Sequence, residues 1–576
     1  NNTVQIKSIE DSLSTQIQKT INEIKNNIKK NIDFEFDIEE NWKWKRLISW
    51  LDKLHSGDLI SKISKDLEIL KNQESDLVKD LVEISAWMHL KKRVTKKQKE
   101  ALASFALSMK KYGMGSGKYA PKHLNDARNS LKIGGSAVPV WIMPVNMIHQ
   151  LFPDPKAGMF DIVIFDEASQ VDTRGLNIAY IGKKLLVVGD DEQVSPTTFT
   201  TQSKVTDLIT RYISDVPNSH QFSNTSSLFD IAKIKMTDMI TLTEHFRSVG
   251  KIIGFSNALS YNGTLKILRD QLPKHRLDPI LEAIFVKNGY EETNAKVNKP
   301  EAKKIVEKIK EMLKEDRYKE TDEEGQTRSV TFGIISLLGK DQQKYITKLI
   351  SEEISSNEIE KRKIICGDAY TFQGDERDVI FLSMVKAPDL HNPEKTIPSY
   401  SRNTKANKQR INVAMSRAKN KIILFHSIPK DKLTNPDDLR KKILDWFYNN
   451  KTEERKAGIQ AIREEVNRGR ASEFEYEVAK ILINAGYKVI PQYEVAGYRI
   501  DLVIQGENAK LAIECDGDKY HNRIEAWQAD IERQQIIERA GWTFWRVTGS
   551  AFYRYKEKAL DSLWSKLEEL NIKPQI

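Results

Sequence analysis

Phe160-Asp161-Ile162-Val163-Ile164-Phe165-Asp166-Glu167-Ala168-Ser169-Gln170 is the stretch on which the fold turns. An apolar, β-branched run closes in two adjacent carboxylates. Such a run reads as a buried strand of a parallel sheet, and ligands sit at the carboxyl ends of those strands. There Asp166 is placed to hold Mg²⁺ and Glu167 to polarise an attacking water. An ordinary strand-to-helix turn with Asp at the helix N-cap would use the same residues. A second run, Lys184–Val188, ends in Gly189-Asp190-Asp191-Glu192-Gln193. Alone it is a turn. Following so soon after the carboxylate pair, it supplies a second polar strand end.

The pattern extends outward. Val138–Met143, Val330–Ser336, Ile364–Cys366, Val379–Met384 and Lys421–Phe425 are short apolar runs that alternate with helical stretches, so two α/β blocks are expected in series. Residues 1–110 are almost free of Gly and Pro. Ile60, Ile63, Leu67, Leu70, Leu77 and Leu81 recur there at helical steps, which predicts a helical stalk with solvated Lys-rich faces. The expected domains are 1–110 (helical stalk or insertion), 111–235 and 236–430 (the two α/β blocks), 431–470 (a charged helical linker) and 471–576 (a small α/β domain).

Composition limits the function. Among 576 residues, Lys and Arg number 91 and Asp and Glu 81, a net charge of +10 that suits a nucleic-acid partner. Mean hydropathy is −0.53, and no apolar run approaches the roughly 20 residues of a membrane span. Two cysteines, Cys366 and Cys515, allow neither a disulfide framework nor a Cys-based zinc site, and a reducing cytoplasm fits best. The chain opens without Met, so a fragment is expected.

The last hundred residues carry a second constellation. Tyr498–Ile504 alternates polar and apolar, and Lys510-Leu511-Ala512-Ile513-Glu514-Cys515-Asp516 is another strand. Asp501 and Glu514 then lie on adjacent strands with converging carboxylates, a site for Mg²⁺ that activates water. Glu475, at the start of a helix, and His521 are placed to complete it by orientation or proton transfer, with Asp516 beside them. Asp530, Arg533 and Gln534 share one helical face turned toward the site or a phosphate. Cys515 alternates away from the carboxylates and reads as core.

The strand ends at Asp166-Glu167 and Asp190–Gln193 resemble motifs II and III of superfamily 1 helicases. Leu242-Thr243-Glu244-His245-Phe246-Arg247-Ser248 resembles motif IV, Gly367–Val379 motif V, and Arg410-Ile411-Asn412-Val413-Ala414-Met415-Ser416-Arg417-Ala418 motif VI. The resemblance implies two RecA-like parallel-sheet domains with ATP and Mg²⁺ between them. It makes Asp166, Gln193, Gly374, Glu376 and Arg410 nucleotide contacts, and Glu167, Arg247 and Arg417 catalytic. Thr371 and Gln373 would touch the tracked strand, and His245 would be structural. The wording of Asp-Glu-Ala-Ser-Gln, Phe-Gln-Gly-Asp-Glu and Asn-Val-Ala-Met-Ser-Arg-Ala is similar to the nonsense-mediated-decay branch, in its large bacterial form. Residues 472–555 resemble PD-(D/E)XK nucleases of the very-short-patch-repair type. Asp516 stands where the general pattern has Lys, which that branch commonly lacks.

Together these imply a nucleic-acid motor fused to a metal-dependent DNA nuclease, in defence against foreign DNA or in repair. The partner is DNA, single-stranded or duplex, with RNA as the alternative, and no membrane. The competing readings are an RNA-directed helicase with a non-catalytic terminal domain, and a non-hydrolysing scaffold. One departure bears on all of them. No Gly-x-x-x-x-Gly-Lys-Ser/Thr loop occurs. Its nearest likeness, Gly113–Tyr119, has Tyr112 and Tyr119 where Gly and a hydroxyl for Mg²⁺ belong. It is expected to be a loop, the true cradle is expected upstream of Asn1, and ATP hydrolysis by this chain is expected to be impaired.

Overall fold

The computed structural model describes residues 38–55, 57–196, 201–223, 226–236, 238–292, 296–315, 318–321, 327–388, 397, 405–449, 457–517 and 524–575, with 19, 22 and 23. The chain divides into two compact units, 1–83 and 84–576. In the first lie helix Ile38–His55 and most of helix Gly57–Arg93, as the helical periodicity predicts, with Trp44, Leu70, Leu77 and Leu81 exposed. Most of residues 1–37 of the expected stalk lie outside the described residues.

In the second unit, helix Lys96–Tyr112 starts at a capping box, Thr95 with Gln98, and forms a hairpin with Ala120–Gly134. The strands follow. β1 (Phe160–Phe165) and β2 (Gly182–Val187) pair in parallel, Phe160 opposite Gly182 and Phe165 opposite Val187. Two short strands, β3 (Glu244–His245) and β4 (Lys266–Ile267), also pair in parallel. β5 (Leu281–Phe285) is followed by the hairpin β6 (Lys319–Thr321) and β7 (Thr327–Ser329). With β8 (Phe332–Ser336), β9 (Ile365–Gly367), β10 (Arg377–Ser383) and β11 (Ala418–His426), β5 makes a parallel sheet ordered β5-β11-β10-β8-β9.

This sheet is covered on both faces. Along β10, Ile380 and Leu382 join one core cluster with Ile252, Ile411 and Ile443, while Val379 and Phe381 join the other with Ile305, Ile346 and Phe425. Burial on both faces is why these strands are continuously apolar. The last domain holds β12 (Val489–Val495), β13 (Tyr498–Gln505), β14 (Lys510–Asp516) and β15 (Thr543–Thr548) in that order, antiparallel except for β14 with β15. Helices Glu473–Asn484 and Lys556–Glu569 close one of its cores through Val478, Leu482 and Leu563. The chain is thus α/β with parallel sheets, a helical N-terminal region, a helicase-type RecA-like part and a small C-terminal restriction-endonuclease-like domain. No helix among the described residues is long and apolar enough to cross a membrane.

Two expectations are corrected. Val138–Met143 is not a strand, and Ile142 is 94% exposed. Pro139 lies within the run and Pro144 follows it, and both lack the N–H groups a ladder needs. β1 is not buried on both faces: the cluster of Phe165, Ala168, Ile178, Ile181 and Leu228 packs against Phe160 and Val163, while Ile162 and Ile164 are exposed. β5 and β12 went unforeseen. Glu282 and Pro491 interrupt their apolar patterns, and both are edge strands, where such residues are tolerated. In the connector, helix Leu439–Asn449 packs Ile443 and Leu444 on the five-stranded sheet's core, whereas Ile459–Asn467 packs Ile462 in the C-terminal core.

Candidate functional site

The first site lies between the two α/β blocks. Leaving β1, the chain turns at Glu167, which adopts φ 53°, a left-handed conformation that non-glycine residues seldom take. The Glu167 N–H donates to Asp166 Oδ1 at 2.9 Å, so the Asp carboxylate braces its own turn. Glu167 Oε2 accepts from Gln170 Nε2 at 3.2 Å and, across the cleft, from Gln373 Nε2 at 3.4 Å. After β2, Gly189 is required by crowding: a Cβ there would meet the Phe229 ring at 2.8 Å and the Ser169 nitrogen at 3.1 Å.

The loop after Gly189 docks on helix Lys405–Ser416 of the second block. Gln193 Oε1 accepts from Arg417 Nη2 at 3.2 Å, while Gln193 Nε2 donates to Asp190 Oδ2 at 2.9 Å. The Tyr261 hydroxyl donates to the same Asp190 oxygen at 2.7 Å. Asn412 Nδ2 donates to Glu192 O and to the Tyr261 oxygen, each at 2.9 Å, and Gln409 Nε2 donates to Asp191 O at 2.8 Å. Val194, Ala369 and Val413 seal the contact.

Arg417 is 1% exposed. Burial pushes its guanidinium down to about 10, with Arg247 pushing the same way and Glu167 opposing, so it stays charged at neutral pH. Arg247 Nε donates to Glu376 Oε2 at 2.7 Å, and Lys419 Nζ lies 2.5 Å from Glu376 Oε1. Burial raises the Glu376 carboxyl, but those two cations outweigh it and hold it below its usual range. Burial, then the charges of Arg247, Arg269 and Arg417, push His245 down to about 4, and its Nε2 accepts from the Ser248 N–H at 2.9 Å. Arg410 stacks 5.5 Å from the Tyr370 ring centre. Gly374 takes φ 76° in open space. Thr371 donates to Asp368 Oδ1 through both its hydroxyl and its N–H, at 2.9 Å each.

The geometry therefore gathers Glu167, Gln193, Gln373 and Arg417 into one cleft, with Arg247 and Glu376 paired beside it. Asp166 stays exposed, and Thr371 is engaged in its own turn. Gly113–Lys118 links two helices, so no strand leads into it and it forms no phosphate cradle. Tyr261 and Gln409 were missed. Nothing in the local sequence around Tyr261 signals its role, because its partners Asp190 and Asn412 are distant in the chain.

The second site is an acidic cup on β13 and β14. Leu502 pairs with Ile513, so the next step of this antiparallel register sets Asp501 opposite Glu514. Asp501 Oδ2 accepts from the Cys515 N–H at 2.9 Å. Burial pushes Asp501 up to about 8, with the charges of Glu514 and Glu475 adding to it. Burial also raises Glu514, against the pull of Arg533 and Arg546. Cys515 is buried, and its thiol is pushed well above its usual range by burial. Arg533 Nη2 lies 2.9 Å from Glu514 Oε2 and 3.3 Å from Asp530 Oδ1. Arg546 lies 2.5 Å from Asp530 and 3.3 Å from Asp516. Gln534 Oε1 accepts from Arg546 Nη1 at 3.4 Å.

Glu475 faces this cup as the third residue of its helix, closing a capping box with Ser472. Its Oε1 accepts from the Ser472 N–H and hydroxyl at 2.9 Å each, and its Oε2 from Gln492 at 2.8 Å. His521 lies outside the described residues. Among those described, no three His, Cys, Asp or Glu side chains converge as a metal-binding group. Asp501 and Glu514 nonetheless offer hard oxygen donors that suit Mg²⁺, and Glu514 Oε1 is buried with no hydrogen-bond partner. The arginines Arg533 and Arg546 give the cup a cationic rim.

Comparison with known proteins follows this division. A family model described as an AAA domain (AAA_12) matches residues 224–428, and one named REase_MTES_1575 matches 474–567. An uncharacterized ATP-dependent helicase, MG140 of Mycoplasma genitalium, is 27% identical over 50% of this chain and 25% of its own length. The DNA replication ATP-dependent helicase/nuclease DNA2 of Gallus gallus is 26% identical over 49% of this chain and 24% of its own. The C-terminal domain of a possible DNA helicase from Lactobacillus plantarum covers 34% of this chain and 92% of its own, at 13% identity and a TM-score of 0.20. The chain spans a quarter to a third of the first two curated relatives, 25% and 36% of their lengths. The two family models and the curated helicase relatives support a superfamily 1 helicase-type part joined to a nuclease-type domain.

Proposed function

We propose that this chain is the motor core of a superfamily 1 helicase of the nonsense-mediated-decay branch, bacterial type, with a very-short-patch-repair-like DNA endonuclease at its C-terminus. Its domains are read as 1–110, 111–235, 236–430, 431–470 and 471–576. The observation that carries the motor reading is the contact of Arg417 with Gln193 across the cleft, beside Glu167. In this reading Glu167 orients the attacking water, Arg247 and Arg417 meet the charge on the transferred phosphoryl group, and Asp166, Gln193, Gly374, Glu376 and Arg410 bind the nucleotide. A fixed guanidinium fork matches that charge better than an ammonium does. Thr371 and Gln373 relay the nucleotide state to the tracked strand.

In the cup, Asp501 and Glu514 would hold Mg²⁺, which supplies charge to the phosphodiester and acidifies a bound water. Glu475 orients, and Asp516 and His521 assist proton movement. The water oxygen forms the new P–O bond, the bond to the sugar oxygen breaks, and the water proton passes through the carboxylates toward the leaving oxygen. DNA is the favoured substrate, since the curated relative in Gallus gallus is described as a DNA replication helicase/nuclease. Defence against foreign DNA or DNA repair is the setting we infer.

The lack of a Gly-Lys-Ser/Thr loop in these residues favours a second reading, a nucleic-acid clamp that hydrolyses ATP poorly. DNA-stimulated ATP hydrolysis by the protein expressed from its whole gene separates the two. The motor reading expects turnover that is lost in Glu167→Gln while ATP still binds. No turnover in the wild type overturns it.

A further inference from the structure

A phosphodiester site needs positive charge where the attacked phosphorus gathers negative charge. In the cup, β14 supplies only Glu514 and Asp516, so the cation must come from elsewhere. Two arginines are in reach. Arg546, on β15, is held between Asp516 and Asp530 and also donates to Gln534. Arg533, on helix Ile524–Arg539, shares Asp530 with it, at 3.3 Å, but differs in its other carboxylate. One of its nitrogens lies on Glu514, the residue that faces Asp501, and its charge acts on Asp501 as well. Its Nη1 is fixed by Arg499 O at 2.9 Å, and its Nε–H, like that of Arg546, is buried without a hydrogen bond. Glu514 Oε1 on the opposite side of the same ion pair is equally unpartnered. A guanidinium with a spare buried donor, paired with a carboxylate that has a spare buried acceptor, leaves both with hydrogen-bonding capacity that a metal and a phosphate can take up.

We propose that Arg533 is the catalytic cation of the cup: without metal it neutralises Glu514, and with metal and DNA present it turns its fork to the scissile phosphate. This rests on the nuclease reading above. A purely structural ion pair would hold the helix to the sheet and do neither.

The test uses the whole chain and two readouts: Mn²⁺ binding by calorimetry, and steady-state cleavage of duplex DNA with Mg²⁺. Arg533→Gln removes a charge that competes with the metal for Glu514. It should bind Mn²⁺ about 10-fold more tightly, since a neighbouring opposite charge shifts a carboxylate's cation affinity by at least that much. Its kcat should fall about 100-fold or more, as for loss of one donor to a developing oxyanion. Arg533→Lys keeps the charge but loses the fork. It should bind Mn²⁺ within about 3-fold of the wild type and cleave at least about 10-fold more slowly. Unchanged or weaker Mn²⁺ binding in Arg533→Gln, or wild-type kcat in either variant, overturns the proposal. If Arg533→Gln does not fold, the Arg533→Lys pair of values decides. A wild type that neither binds Mn²⁺ nor cleaves overturns the nuclease reading, whereas a wild type that does both beside an indifferent Arg533→Gln overturns the role of Arg533 alone.

Discussion

Glu301 is wholly buried in the first turn of helix Lys299–Leu313, beneath the ends of β10 and β11. Its Oε1 accepts from the Ser383 hydroxyl at 2.6 Å and the Val385 N–H at 2.9 Å, yet burial outweighs these donors and pushes its pKa up to about 7. An acid raised in the folded state binds more protons there than in the unfolded chain. Stability therefore falls as pH rises from about 4.5 to 7, by about 3 kcal/mol at most. Urea midpoints at pH 5 and pH 8 should fall less in Glu301→Gln than in the wild type, and parallel falls would contradict the assignment. His245 works the other way: its lowered pKa gives stability that is present above about 6.5 and lost as pH drops through about 4. Sequence motifs exposed the charged residues at this scale, Arg417, Asp501 and Glu514 among them, because their chemistry is written in their side chains. Tyr261 stayed hidden, since a tyrosine hydroxyl acquires a role only from neighbours that folding brings to it.

Among the elements, β10 and β1 read alike as sequence but differ in the fold. Phe381 is fully buried between Phe332 and Phe425, whereas Ile162 is 57% exposed. Phe381→Ala should cost about 3–5 kcal/mol and Ile162→Ala less than about 1 kcal/mol, read from denaturant midpoints. Comparable costs would mean that β1 is covered in solution. The apolar pattern located β8, β9, β10 and β11 because a strand buried in a parallel sheet has no polar face to write, and it located β1 and β2 by the same apolar wording although one face of each is exposed. It misread Val138–Met143 because composition carries the appetite for burial but not the partner that satisfies it. It passed over β12 because Pro491 is disqualifying in a central strand and harmless at an edge.

Across the whole second unit, the C-terminal domain is seated on the segment that follows Arg247. Leu268 is 1% exposed within a cluster of Ile490, Tyr493, Ile500 and Trp542. The Tyr493 hydroxyl donates to Asp270, whose other partner Lys510 lies 3.2 Å away, and Arg539 meets Glu244 at 2.8 Å. The neighbouring Arg269 donates to the Arg247 carbonyl and, at 2.6 Å, to Asn420. Leu268, Arg269 and Asp270 thus anchor the cup's sheet to the cleft between the α/β blocks. Leu268→Asp buries an unpaired charge in that seat and should split a single calorimetric transition into two, with the C-terminal domain melting separately. One unsplit transition would show that the two parts do not depend on this contact. No local pattern announces the seat, because Leu268 and Trp542 lie far apart in the chain and each reads alone as ordinary core.

In the proposed reading Asp501 and Glu514 form one metal-dependent site, and nicking of supercoiled DNA with and without Mg²⁺ tests that most directly. The wild type should nick with Mg²⁺ and stop in a chelator, while Asp501→Asn and Glu514→Gln, still folded, should each fall by about 100-fold or more. Nicking that survives either substitution, or that is indifferent to the chelator, would contradict it.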